Sequence, residues 1–180
     1  CGFIVFPTVN YGVSFEHEPL FNTSIDEKKF VLFLTDICYS ILKNVDHIII
    51  LNGHHGNIQA LGRLEVGLVR FSGKEGRDRI KFFNYWEFMK HEFDHAGFVE
   101  TSLMLAISDK VKMKKAKKGL ITNGLSEKER KRINKLSTQP GGFPQVAKNG
   151  VWGDPTGATK KDGEKFLAEI VRNLAKECQT

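Results

Sequence analysis

Hydrophobic and polar positions fall into short blocks that predict strands and helices in turn. Phe3–Phe6 is an apolar run that ends at Pro7, which predicts a strand. His47–Leu51 is a continuous run rich in β-branched residues, which is typical of a strand buried on both faces of a parallel sheet. A third strand is predicted at Ile80–Phe83.

Apolar residues at helical spacing occupy the stretches between and after these strands. Ser24-Ile25-Asp26-Glu27 has the form of a capping box and predicts a helix that runs from there to about Asn44. Strands that alternate with helices predict an α/β fold with a parallel sheet. The other predicted helices are Ile58–Phe71, Phe98–Ile107, Ser126–Leu136 and Lys160–Cys178, with a short helix or turn at Tyr85–His91 and loops at Thr8–Thr23 and Val151–Thr159.

The composition is that of one folded domain over residues 1–180. The chain is 41% hydrophobic and 27% charged, and no apolar run is long enough to cross a membrane. No charged-then-apolar leader opens the sequence, so we expect a cytoplasmic protein without a membrane partner. The three cysteines lie too far apart for a disulfide framework, and Cys38 is predicted to be a core thiol.

The net charge of +6 is concentrated in one segment. Eleven of the 27 basic residues and two of the 21 acidic ones lie between Lys110 and Lys135. A single basic segment on a mildly acidic body favours a solvated connection. No aromatic residues alternate with these lysines, which argues against a nucleic-acid partner. The segment could instead form an oligomer contact or steer an anionic substrate.

The first cluster with candidate chemistry is Asn52–Asn57, directly after the predicted central strand. Ligands of parallel α/β sheets bind beyond the carboxyl ends of the strands. His54 and His55 lie between two glycines there, and neighbouring side chains in an extended turn point apart. At most one of the two histidines is therefore predicted to be a metal ligand, and the alternative is a turn with two solvated histidines.

The second cluster is Asp94–Ser102, where Glu100 enters a helix just after a glycine turn. An acid in the first helical turn also has a purely structural explanation, since it complements the helix dipole. However, a carboxylate near an imidazole is also what a metal-assisted hydrolase needs. The carboxylate can hold a divalent ion, and His95 can move a proton.

These two clusters and two further segments make the sequence resemble the creatininase (creatinine amidohydrolase) family. The family's Asn-Gly-His-x-x-Asn turn matches Asn52–Asn57, and its His-Ala/Gly-Gly-x-x-Glu-Thr-Ser segment matches His95–Ser102. Its Tyr-Gly-x-Ser substrate loop resembles Tyr11–Ser14, which is followed by Glu16 and His17, and the Gly153-Asp154-Pro155-Thr156 turn before the last helix also fits the family. The segments occur in the family's order and cover nearly the whole chain.

The resemblance implies a three-layer α/β/α sandwich with a mainly parallel sheet. It implies one or two divalent ions, zinc with manganese or iron as alternatives. The implied reaction is hydrolysis of a non-peptide C–N bond, in a cyclic amide such as creatinine or a formamide such as a formylaminopyrimidine nucleotide, through a metal-activated water. A homo-oligomer is the implied assembly.

The resemblance also assigns roles to individual residues. It makes His54 and Glu100 metal ligands, and it makes His95 the catalytic proton donor to the leaving nitrogen. The residues implied to contact the substrate are Tyr11, Ser14, His55, Trp86 and Asp94.

Two departures from the family pattern bear on these roles. Gly56 stands where creatininases have a metal-binding acid, which points away from creatinine and towards relatives that act on formamides or trim peptides. The family's first motif, Glu-x-His-Gly, does not occur in this sequence. We therefore expect the sequence to lack the family's N-terminal strand-helix unit, with the missing ligands supplied from elsewhere. The alternative is a non-catalytic or split-subunit member that needs a partner segment.

Overall fold

The computed structural model of the chain describes residues 3–92 and 94–178, including the side chains except those of residues 69–78. Its backbone divides into two compact units. Unit 1 comprises Cys1–Ser14 with Asn22–Tyr85, and unit 2 comprises Phe15–Phe21 with Trp86–Thr180. None of the helices in the described ranges has the length and apolar character needed to span a bilayer.

Helix α1 of unit 1 spans Glu27–Leu42 and begins with a different cap from the predicted one. The Asp26 carboxylate accepts a hydrogen bond from the Lys29 amide at 3.1 Å, so Asp26 is the N-cap. The predicted capping box at Ser24 is wrong, because the Ser24 hydroxyl oxygen instead accepts the Ser14 amide at 2.8 Å. The local sequence assigned the Ser24 side chain to the helix cap, but in the structure this side chain forms a loop contact.

The parallel pair of strands in unit 1 follows the predicted order. Strand β1 (Ile48–Asn52) is joined through helix α2 (Ile58–Asp78) to strand β2 (Ile80–Asn84). The two strands pair in parallel, with Ile48 opposite Ile80 and Asn52 opposite Asn84. The bounds of these two predicted strands are confirmed to within one residue, but β1 is not buried on both faces, since Leu51 is 50% exposed. Helix α2 continues past the predicted end at Phe71.

The core of unit 1 lies between its helices and strands. Cys38 is 2% exposed, and burial raises the pKa of its thiol to about 11, so the predicted core thiol is confirmed. The other buried apolar side chains of the unit are Val13, Phe30, Leu34, Ala60, Leu61, Leu64, Leu68 and Ile80.

The prediction of a strand at Phe3–Phe6 is wrong. The segment has no strand structure, and its side chains are between 52% and 89% exposed. A strand needs backbone partners, and within residues 3–92 and 94–178 no strand or bridge pairing involves this segment. Apolar composition alone was the basis of that prediction.

Unit 2 is helical, and three of its helices, α3, α4 and α6, match predicted ones to within one residue, whereas the short α5 was not predicted. Helix α3 has the predicted bounds, and α4 begins with the complete capping box of Ser126 and Glu129. The α-helices are α3 (Phe98–Ile107), α4 (Glu127–Ser137), α5 (Phe143–Val146) and α6 (Lys160–Glu177), with 3₁₀ turns at Phe15–His17, Met113–Lys115 and Pro155–Gly157.

Close packing of α3 against α6 is the main tertiary contact of unit 2. Gly163 is the point of closest approach, because a Cβ added there would overlap the carbonyl oxygen of Ser102. Ser102 is fully buried, and its hydroxyl oxygen accepts the Thr159 amide at 3.3 Å. The absence of a side chain at position 163 therefore sets the spacing of the two helices.

We predict that Gly163→Ala lowers the free energy of unfolding by about 2 kcal/mol or more, because overlap with backbone can be relieved only by moving a helix. The control is Gly62→Ala on α2, where nothing lies within 4 Å of an added Cβ. That variant should gain up to about 1 kcal/mol from helix propensity. Chemical denaturation measures both, and equal stabilities would contradict the packing argument.

Candidate functional site

The turn after β1 is held by two asparagines at the carboxyl ends of the strands. The Asn52 amide group donates to the Asn84 side-chain oxygen at 2.8 Å. The Asn52 side-chain oxygen in turn accepts the His54 amide at 3.0 Å and the Asn57 side-chain amide at 3.3 Å. Asn52 is 4% exposed, so its hydrogen bonds are shielded from water and define the turn.

His54 leaves this turn in extended conformation, and its ring is anchored in unit 1. Its Nε2 lies 3.0 Å from the carbonyl oxygen of Val13. A carbonyl only accepts, so this contact assigns the ring hydrogen to Nε2 and makes Nδ1 the nitrogen able to coordinate an ion. Metal-binding histidines are typically anchored in this way. His55, by contrast, is exposed on the following 3₁₀ turn.

The predicted substrate loop packs against the same turn within unit 1. The Val13 amide donates to the Asn57 side-chain oxygen at 2.9 Å. A Cβ on Gly12 would overlap that same oxygen and would displace the Asn57 side chain from this hydrogen bond. Tyr11 is 59% exposed, whereas the Ser14 amide is bonded to Ser24. The structure thus brings the loop and the turn together within unit 1.

In unit 2, Asp94 closes the N-terminus of α3. Its two carboxylate oxygens accept the amides of Val99 at 2.8 Å and Glu100 at 3.1 Å. Burial raises the pKa of Asp94 above 3.8, and the backbone amides oppose that shift. The contribution of Asp94 to stability is therefore fully present below its unfolded pKa and falls as the pH rises through its raised folded pKa. In this structure Asp94 shapes the site by holding the helix.

Glu100 folds back onto the turn that precedes α3. Its Oε2 accepts the Ala96 amide at 2.6 Å, and the Thr101 hydroxyl donates to the Ala96 carbonyl at 3.3 Å. Ala96 has a φ of 51°, in the left-handed region that costs an L residue about 1 kcal/mol. Backbone strain therefore lies between His95 and Glu100, where functional sites often carry it.

His95 is held on both its backbone and its ring. Its amide donates to the Trp152 carbonyl at 3.0 Å, and the Trp152 amide donates back at 2.8 Å. The ring Nδ1 lies 3.1 Å from the Gly150 carbonyl oxygen, and Nε2 lies 3.1 Å from Nε2 of His17. The ring also packs on Phe143, with centroids 4.5 Å apart.

The contact with His17 was not predicted from the sequence. In the sequence, Glu16 and His17 simply follow the predicted substrate loop. His17 and His95 are 78 residues apart, so only the tertiary structure brings the two rings into contact. The only local signal was an acid next to a histidine within a matched motif. Trp86 lies partly buried on the separate 3₁₀ turn Tyr85–Phe88.

The chemistry of each predicted ligand fits a divalent ion. His54 offers an imidazole nitrogen whose partner nitrogen is anchored, and Glu100 offers a carboxylate positioned by a backbone amide. Imidazole and carboxylate donors suit zinc, manganese and iron alike. A hydrolytic zinc site usually takes more protein ligands than these two.

Comparison with known proteins places the chain in a family of hydrolases. The family model for creatininase (creatinine amidohydrolase) matches residues 1–178. The chain therefore belongs to the creatininase family.

Its curated relatives include two mycobacterial proteins named mycofactocin precursor peptide peptidase. The one from Mycolicibacterium smegmatis is 35% identical over 176 residues, which cover 96% of this chain and 65% of that protein. The one from Mycobacterium ulcerans is 33% identical over 175 residues, which cover 94% of this chain and 63% of that protein. The chain thus spans just under two-thirds of the length of these relatives.

Solved structures confirm the predicted fold class. A crystal structure of creatinine amidohydrolase matches with a TM-score of 0.73 at 21% identity, covering 95% of this chain and 72% of that one. Other creatininase structures with this fold are described as a Zn–Zn type and as a Mn form. The α/β fold with a parallel sheet is thus confirmed as creatininase-like.

We predict that Ala96→Gly retains full stability or gains up to about 1 kcal/mol, because glycine adopts a positive φ without steric cost. Ala168→Gly, at an exposed position of α6, is the control and should lose about 1 kcal/mol. Thermal and denaturant unfolding measure the two variants. A loss at position 96 equal to that at 168 would show that the left-handed conformation carries no strain.

Proposed function

We propose that the chain belongs to a metal-dependent amidohydrolase that cleaves a C–N amide bond with a metal-activated water. The observation that carries the proposal is the anchoring of His95. Because Nδ1 faces the Gly150 carbonyl at 3.1 Å, the ring hydrogen lies on Nδ1, and Nε2 is the nitrogen that exchanges a proton. A general acid with one defined proton-exchanging atom is what release of a nitrogen leaving group requires.

The residues of the chain have separate tasks in this proposal. A bound divalent ion would supply an activated water and polarise the amide carbonyl. His54, through its Nδ1, and Glu100, through its carboxylate, are each proposed as metal ligands, and Nε2 of His95 is proposed to donate a proton to the departing nitrogen. The proposed substrate contacts are Tyr11, Ser14, His55, Trp86 and Asp94, with Asp94 acting through the N-terminus of α3.

Two substrate classes are supported by different observations. Resemblance to creatininases supports a non-peptide C–N bond, in a cyclic amide or a formamide. The named peptidases among the relatives are more similar in sequence than the creatininase structures, which supports a bond in a peptide. Gly56 in place of a metal-binding acid also points away from creatinine. Zinc as the ion, a homo-oligomeric assembly and a cytoplasmic location complete the proposal.

We predict that the protein retains a divalent metal through dialysis and that His54→Ala lowers its metal affinity at least about tenfold, because an anchored imidazole ligand is lost. His47→Ala, at an exposed histidine, is the matched control and should bind metal normally. Metal analysis and titration measure the effect after circular dichroism confirms folding. Equal metal content in the two variants would remove His54 from the ligand set.

A second prediction concerns the substrate. With zinc or manganese added, we expect cleavage within a proteome-derived peptide library, measured by mass spectrometry, and no detectable creatinine hydrolysis. Chelation should abolish the cleavage, and His95→Gln should lower kcat about a hundredfold or more. Faster turnover of creatinine or of an N-formyl aminopyrimidine would select the non-peptide class. Absence of turnover on every probe would favour the non-catalytic alternative.

A further inference from the structure

Within unit 2, four groups form a continuous line of polar contacts. Oε1 of Glu16 lies 3.1 Å from Nδ1 of His17. Nε2 of His17 lies 3.1 Å from Nε2 of His95, and Nδ1 of His95 lies 3.1 Å from the Gly150 carbonyl oxygen. Three separate segments of sequence therefore converge on two imidazole rings.

The two ends of this line assign its hydrogens. The Gly150 carbonyl can only accept, so Nδ1 of His95 carries a hydrogen, and neutral His95 has a lone pair on Nε2. The Glu16 carboxylate likewise accepts from Nδ1 of His17. Two bare Nε2 atoms 3.1 Å apart would repel each other. One hydrogen on either Nε2 would turn this contact into a hydrogen bond between the two rings.

The two imidazole rings lie in a largely buried environment, which shields the contact between them from water. Glu16 is 8% exposed and Phe143 is 5% exposed. Phe143 packs on both rings, with centroids 4.8 Å from that of His17 and 4.5 Å from that of His95. Hydrogen bonds gain strength in such an apolar environment.

The backbone that carries Glu16 and His17 is itself fixed within unit 2. Both residues belong to the 3₁₀ turn Phe15–His17. The Phe15 carbonyl accepts the Gly141 amide at 2.9 Å, just before α5. His17 is therefore presented to His95 by an anchored turn.

We propose that His17, anchored by Glu16, is a positioning residue that aims Nε2 of His95 and holds a proton there between turnovers. The inference rests on the proposed role of His95 as proton donor. When the C–N bond breaks, the nitrogen keeps the bonding electron pair and takes the shared proton from Nε2 of His95. The water that adds hydroxyl to the carbonyl carbon releases, in net, the proton that restores the pair.

The direct test is nuclear magnetic resonance of the protein labelled with ¹⁵N-histidine, without substrate. We expect a scalar coupling between Nε2 of His17 and Nε2 of His95, which arises only when the two nitrogens share a hydrogen bond. The coupling should vanish in His17→Gln and persist in His47→Gln, the exposed control. Its absence from the folded wild type would overturn the proposal, as would a metal ion bound between the two nitrogens.

Kinetics provide an independent readout on whichever probe the protein turns over. His17→Gln keeps an amide donor but has no basic nitrogen that can take up and release a proton, so we expect kcat to fall about ten- to a hundredfold with KM unchanged within about twofold. Glu16→Gln should show a smaller loss in the same direction. Wild-type kcat in His17→Gln would overturn the proposal.

The two proposals fail in different experiments. If His95→Gln retains full activity, His95 is not the proton donor, even where the nitrogen–nitrogen coupling is present. If the coupling is absent while His95→Gln is inactive, the proposed function stands and the role of His17 is wrong. If no probe is turned over, the coupling alone decides whether His17 holds the proton.

Discussion

The backbone pairing of His95 with Trp152 is the contact on which the candidate site of unit 2 depends. Two hydrogen bonds of 3.0 and 2.8 Å join these residues, and Trp152 also forms a bridge with Leu120. The pairing brings the Gly150 carbonyl to the ring of His95 and so decides which ring nitrogen carries a hydrogen. It thereby helps to fix the orientation of a loop histidine and leaves Nε2 as the nitrogen that the proposed reaction uses.

The turn that leads into α3 contains several features that affect the stability of the same site. Asp94 is buried and its pKa is raised, Ala96 has a left-handed backbone, and a Cβ on Gly97 would overlap the Asp94 carboxylate. The buried Asp94 carboxyl and the left-handed Ala96 each cost stability by themselves. They persist because four hydrogen bonds to the backbone of the turn and of α3 offset them. A strained, fully bonded turn holds catalytic groups more precisely than a relaxed loop does.

Membership in the creatininase family and the anchoring of His95 both support the proposed chemistry, which is proton transfer to a nitrogen leaving group. The family by itself does not distinguish a peptide from a cyclic amide or a formamide, because the residues for proton transfer serve each of these bonds. The shape of the predicted substrate loop and the residues around Gly56 would distinguish these three substrate classes. In the proposed arrangement, the Glu16 carboxylate adds a negative charge beside the His17 and His95 rings.

Local signals in the sequence determined most elements. Helix α3 has its predicted bounds and α4 its capping box, because both depend on residues within one or two turns of each other. Tertiary structure alone decided the rest. The hydroxyl of Ser24 forms a loop contact and does not cap the helix. Phe3–Phe6 has no strand partner in the described residues. His17 contacts His95, which is 78 residues away in the sequence. Contacts at such separations are made by packing, and no periodicity in the chain encodes them.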